Sequence, residues 1–151
     1  MKPFVALLLL TTSLLATGCD SEPALHPISG HITLGGKPYD RLLVYVRPVD
    51  ESVNQYNLGV GETDATGKLF LRSTAGEGLA TGKYRVSFSC IVSGKGQTVG
   101  PSDEKLDDDR RLITKDIVPP AYGDGGESRL EFEVVPGTDN HIEFDIPSKQ
   151  S

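Results

Sequence analysis

Hydrophobic and polar residues alternate with a period of two in a series of short segments, each closed by Gly, Pro or Asp. Lys83 to Ser93 (KYRVSFSCIVS) is the clearest. Tyr84, Val86, Phe88, Cys90 and Val92 share one face; Arg85, Ser87, Ser89 and Ser93 share the other, and Ile91 is the one exception. This is the pattern of a strand in a sheet with one wet face. Ile28 to Leu34, Arg41 to Pro48, Asn57 to Thr63 and Lys68 to Ser73 read as strands on the same grounds. So do Arg129 to Val135 and His141 to Ile146, and the Pro136–Asn140 link between them predicts a C-terminal hairpin. Gly35-Gly36-Lys37-Pro38 and Asp64-Ala65-Thr66-Gly67 are turn signals.

Seven short strands in one domain predict an all-β fold, an antiparallel seven-strand β-sandwich. No helix-period segment follows the first residues, where a signal-peptide helix is expected. Met1 to Pro3 carries a positive charge, and Phe4 to Leu15 is almost wholly apolar. That is the charged region and short apolar region of a secretory signal, too short to span a bilayer. Leu15-Ala16-Thr17-Gly18-Cys19 resembles a bacterial lipobox. The resemblance implies cleavage before Cys19 and a lipid on its thiol; ordinary cleavage nearby is the alternative. The expected organisation is a signal over 1–18, a tether over 19–27 and the sandwich over 28–147. Asp20, next to Cys19, resembles an inner-membrane retention signal of some Gram-negative sorting systems.

Composition narrows the function. The 151 residues include 17 Gly and 10 Pro, one Met and no Trp, a mix suited to a turn-rich β-protein. The 15 basic against 21 acidic side chains give a net charge of −6. Such a chain makes a poor nucleic-acid binder, since phosphate contacts need clustered Lys and Arg. The two cysteines, Cys19 and Cys90, are too few for a disulfide scaffold or a Cys-based zinc site. Cys90 is expected to be a buried free thiol.

Three stretches carry a family resemblance. ISGHITLGGKP is similar to the opening V-x-G-x-V-x-x-x-G-x-P of carboxypeptidase-regulatory-like domains. GETDATGKLFL resembles their T-D-x-x-G-x-[FY] hairpin, and GLATGKYRVSF their G-x-Y-x-V strand entry. The closing residues resemble small bacterial envelope lipoproteins that carry such a domain alone. The resemblance implies a transthyretin-like (prealbumin) sandwich that serves as a folding partner, stalk or interaction module. It also implies that Tyr84 buries its ring and holds its hydroxyl on a loop carbonyl.

Catalytic patterns are missing. His26, His31 and His141 form no metal-ligand motif, although His31 and His141 could meet if their strands pair. Ser87 and Ser89 have no visible base partner. The glycine-rich runs at 76–82 and 94–100 miss the phosphate-loop spacings. The acidic run Asp103 to Asp109 lacks a calcium-loop pattern, and Lys105, Arg110 and Arg111 would compete for its carboxylates. No catalytic residue, metal or cofactor is expected. Segment 94–115 reads as one long loop. The residues expected to meet a partner are Lys95, Asp103, Asp107, Asp108, Arg110 and Arg111 there, and Tyr122 on the next loop. The expected function is a non-enzymatic, lipid-anchored envelope protein, exported to the cell or outer membrane, that binds or scaffolds an envelope protein or polysaccharide. The alternative is a carbohydrate-binding module presenting Tyr39, Tyr56 and Tyr122 as its exposed rings.

Overall fold

In the computed structural model, which describes residues 21–100, 114–123 and 126–148, the alternating segments become strands. They are β1 (Ile28–Leu34), β2 (Leu43–Pro48), β3 (Gly59–Thr63), β4 (Leu69–Ser73), β5 (Gly76–Glu77) and β6 (Gly82–Ser89). Then follow β7 (Ile91–Ser93), β8 (Thr114–Asp116), one helical turn α1 (Pro120–Gly123), β9 (Glu131–Val134) and β10 (Asn140–Ile146). The fold is mostly β. All seven expected strand positions are occupied, but the described residues hold ten strands rather than seven. The long segment divides into β6 and β7 at Cys90, and the short β5 and β8 are additional.

The strands form three sheets. Six run in the antiparallel order β5-β4-β3-β2-β6-β9; β1 pairs with β10, and β7 with β8. The wholly antiparallel expectation fails at β1 and β10, which are parallel, with Ile28 opposite Asn140 and Leu34 opposite Ile146. The expected C-terminal hairpin also fails. β9 pairs with β6, while β10 crosses to the other layer. The buried Asn140 sits at the divergence. Its side-chain amide accepts from Val135 N at 2.9 Å and donates to Val135 O at 3.1 Å. A hairpin would have used those backbone groups for pairing.

Alternation decides what is buried. Leu69 and Leu71 of β4 point inward, as do Val44 and Val46 of β2 and Tyr84, Val86 and Phe88 of β6. They meet Ile28, Ile32 and Leu34 of β1 and Ile142 and Ile146 of β10 in one core. Each such side chain contributes about 1.5–3 kcal/mol by leaving water. Phe88 stacks on Phe144 across the layers, centroids 5.8 Å apart. The β3–β4 turn clasps β1. Gly67, at φ 86°, accepts the Ile32 amide at 2.8 Å, and a Cβ there would lie 2.7 Å from the Ile32 oxygen. Only glycine tolerates both the dihedral and the approach.

Candidate functional site

The outer face of the six-stranded sheet presents three exposed apolar side chains, one on each of three adjacent strands. Register places Tyr45 directly opposite Val60, Val60 opposite Arg72, and Phe70 opposite Glu62. The same alternation that buries Leu69 and Leu71 turns Phe70 outward, where it is 58% exposed; Val60 is 43% and Tyr45 37% exposed. Three large apolar side chains on adjacent strands form one surface, the kind of feature that marks interaction sites.

A cleft of about 600 Å³ runs along this face at the edge of β4. Lys68, Phe70 and Arg72 line it from β4 and its entry, Val60 and Glu62 from β3, and Pro27, Ser29 and Glu77 from the opposite rim. The Lys68 ammonium lies 5.1 Å from the Phe70 ring centroid, a cation–π distance. Arg47 and Arg85 stand opposite each other on β2 and β6. The outward charges of β2, β3, β4 and β6 are therefore Arg47, Lys68, Arg72, Lys83 and Arg85 against Glu62. On the neighbouring strands of the same sheet, Glu131 and Glu133 of β9 stand opposite Arg85 and Lys83, and Glu77 lies on β5, so the face carries both signs of charge with Lys68 and Arg72 flanking Phe70.

The N-terminal segment enters the fold beside the cleft. His26 and Leu79 exchange backbone bonds of 2.8 and 3.1 Å, and His26 Nε2 lies 3.2 Å from Thr81 Oγ1. Gly78 makes room: a Cβ there would fall within the His26 carbonyl. Ser21 to Ala24 remain exposed.

The expected site residues are dispersed. Cys19, Asp103, Asp107, Asp108, Arg110 and Arg111 lie outside the described residues. Lys95 is exposed on a tight turn, where Ser93 N donates to Gln97 O at 2.8 Å. The 94–115 segment is not one loop. Val99 N donates to Ile91 O, Arg41 donates to Thr98 O at 3.1 Å, and β8 pairs with β7. The expected exposed rings are a further correction. Tyr39, Tyr56 and Tyr122 are half-buried, and Tyr122 packs on Phe144 at 5.8 Å. Among the described residues Phe70 and Tyr45 are the exposed rings instead. The period-two pattern already placed them opposite buried Leu69 and Val44, but it does not say which layer covers which face.

The histidines do not converge. β1 and β10 pair, yet His31 Nε2 is 2.9 Å from Thr66 O and His141 Nδ1 is 2.8 Å from Ser29 Oγ. No group of three metal-ligating side chains forms among the described residues. Ser87 is buried on the outer face beside Tyr45, and Ser89 donates to Asp116 at 2.8 Å. Asp116 also accepts from Cys90 N at 3.1 Å and Val118 N at 2.9 Å. It holds the strand break at Cys90, whose thiol is free and buried. Burial, then the Asp116 charge, pushes that thiol up to about 11, so it is protonated and a poor nucleophile at neutral pH.

No family model and no curated protein matches the chain. A solved structure similar to it is that of the major pilin subunit of Bacillus cereus. Identity is 8%, the TM-score is 0.40, and the match covers 78% of this chain. The chain spans 28% of that pilin subunit.

Proposed function

We propose that this protein is a non-enzymatic, lipid-anchored envelope component that works as a binding or scaffolding module. Its binding face is the outer face of the six-stranded sheet. The observation that carries this reading is the exposed Tyr45–Val60–Phe70 patch, held on three hydrogen-bonded strands over a filled core. Such a face is rigid and needs no reorganisation to bind. The apolar N-terminal segment and the Leu15–Cys19 motif support export and anchoring.

The finer fold reading belongs to the same proposal. The seven expected strands form a transthyretin-like sandwich, to which β5 and β8 are additions. Core side chains contributed by both layers support this, as does the Tyr84 hydroxyl on a loop carbonyl.

A carbohydrate-binding module is the second reading. An exposed Phe70 beside Glu62 and Arg72 offers a stacking ring with polar neighbours. A photocrosslinking residue placed at Val60 tests the binding face in intact cells, with the same residue at Glu143 on the opposite layer as control. Adducts from position 60 alone are expected. Adducts from neither position, or equally from both, would overturn the assignment.

A further inference from the structure

We infer that the partner of this face is the anionic surface of the bilayer that carries the protein. The inference rests on the lipid-anchor reading above and deepens it.

Two observations combine. The first is where the chain enters the fold. Leu25 and His26 are fixed against Gly76, Gly78 and Leu79, on the rim that Glu77 and Pro27 share with the cleft. From Cys19 to Leu25 an extended chain reaches only about 20 Å. An anchor at Cys19 therefore holds the domain close to the membrane, with the β4 edge on the tethered side.

The second is the chemistry of that edge. Lys68, Phe70 and Arg72 project outward in succession along β4, a cation–aromatic–cation stripe about 13 Å long. Val60 and Tyr45 continue the apolar part inward across the sheet, and Arg47 adds a cation two residues beyond Tyr45 on β2. Glu62 and Glu77 are the carboxylates at the cleft, and Glu131 and Glu133 of β9 stand directly opposite Arg85 and Lys83. Aromatic and aliphatic side chains flanked by Lys and Arg suit the headgroup layer, where rings reach the acyl boundary and cations meet lipid phosphates. The outer face of the β1–β10 layer is different. His31, Thr33, His141, Glu143 and Asp145 make it polar, with two carboxylates on its strands and Lys68 in a β-bridge with His31 at its β4 border. The stripe that suits an anionic headgroup layer, Lys68–Phe70–Arg72, thus lies on the side where the tether begins.

The chain has no tryptophan, so Phe70→Trp introduces a single fluorophore. The full anchored protein is placed in vesicles of phosphatidylcholine, with or without phosphatidylglycerol, containing lipids brominated on the acyl chains. Fatty-acid labelling of Cys19 is read on the same samples. In labelled protein, a blue shift and strong quenching are expected in anionic vesicles, weaker in neutral ones and relieved by salt. Lys68→Glu with Arg72→Glu should abolish the quenching. Glu143→Trp in an otherwise native chain should stay unquenched. Labelled Phe70→Trp protein that stays unquenched in anionic vesicles overturns the docking and leaves the anchor standing. Equal quenching of the two variants overturns it too. A Phe70→Trp fluorophore that responds to a soluble anionic polysaccharide but not to vesicles overturns the docking and transfers the face to a glycan. Absence of the label overturns the anchor, and the docking with it.

Discussion

The Tyr84 hydroxyl donates to the Ala80 carbonyl oxygen at 2.6 Å while its ring is 1% exposed. The bond closes the Ala80–Lys83 approach to β6, and the ring sits between Pro48 of β2 and Phe132 of β9 in register. Ring and hydroxyl make separable contributions. Tyr84→Phe keeps the ring and leaves the carbonyl short of a donor, which should cost about 0.5–1.5 kcal/mol. Tyr84→Ala removes a large core aromatic and should cost about 3–5 kcal/mol. Urea unfolding of both variants checks the split. Equal losses would assign the whole effect to the hydroxyl.

Cys90 should react slowly with a thiol reagent in the native protein and quickly in denaturant. The thiol is buried and protonated because burial and Asp116 raise it from 9.0 to about 11. The sign follows from the raised value. An unfolded thiol ionises first, so stability linked to the neutral form is intact below pH 9 and is lost by about pH 11. Cys90→Ala should flatten that alkaline decline. Fast native modification at pH 7 would contradict the burial.

Much of this was legible in the sequence, and the limits have physical causes. The face shared by Tyr84, Val86, Phe88 and Cys90 is buried as the period predicts. The pattern loses accuracy at Val92, which is half-buried, because the strand breaks where the Asp116 carboxylate takes the Cys90 amide. The spacing of Cys90 and Asp116 carries no local signal for that bond. Pairing was less legible than strand position. Ser29 lies opposite His141, 112 residues away, and alternation fixes faces without fixing neighbours. The candidate site suffered the same limit. Phe70 alternates correctly, yet only the sheet order shows that no layer covers it among the described residues.

Acid should loosen the β1–β10 layer. The Asp145 carboxyl is held below its ordinary value, first by the Gly36 amide at 2.8 Å and then by the Thr33 hydroxyl at 2.7 Å. A depressed carboxylate contributes stability that is present above its unfolded value, near pH 4, and lost as pH falls through the folded one. Asp145→Asn should be slightly less stable than wild type at pH 7, with the gap closing toward pH 2. Asp50 and Asp64 are depressed by their own turn hydrogen bonds, so the variant removes only part of the slope. A constant difference from pH 7 to pH 2 would show that the Asp145 charge is not what the site uses.

Asn140 should govern the divergence of β9 from β10. Its amide is 5% exposed and satisfies both backbone groups of Val135; Thr138 adds a hydroxyl bond to Val135 O at 2.9 Å. Asn140→Ala removes the partner of the Val135 N–H, at an exposed residue that water can reach, and should cost about 0.5–1.5 kcal/mol. Asn140→Asp is the sharper test. A carboxylate still accepts from Val135 N, but it cannot donate to Val135 O, and at neutral pH it faces that carbonyl as a buried charge. The Asp variant should therefore be the worse of the two at pH 7 and recover as acid protonates it, its gap to wild type closing because the variant gains stability, whereas the Asp145→Asn gap closes because wild type loses it. Hydrogen exchange adds a local readout, because the Val135 amide should exchange faster in Asn140→Ala while the β6 amides stay protected. A loss under about 0.5 kcal/mol, with exchange at Val135 unchanged, would mean that the Pro136–Gly137 turn alone sends the chain to β1.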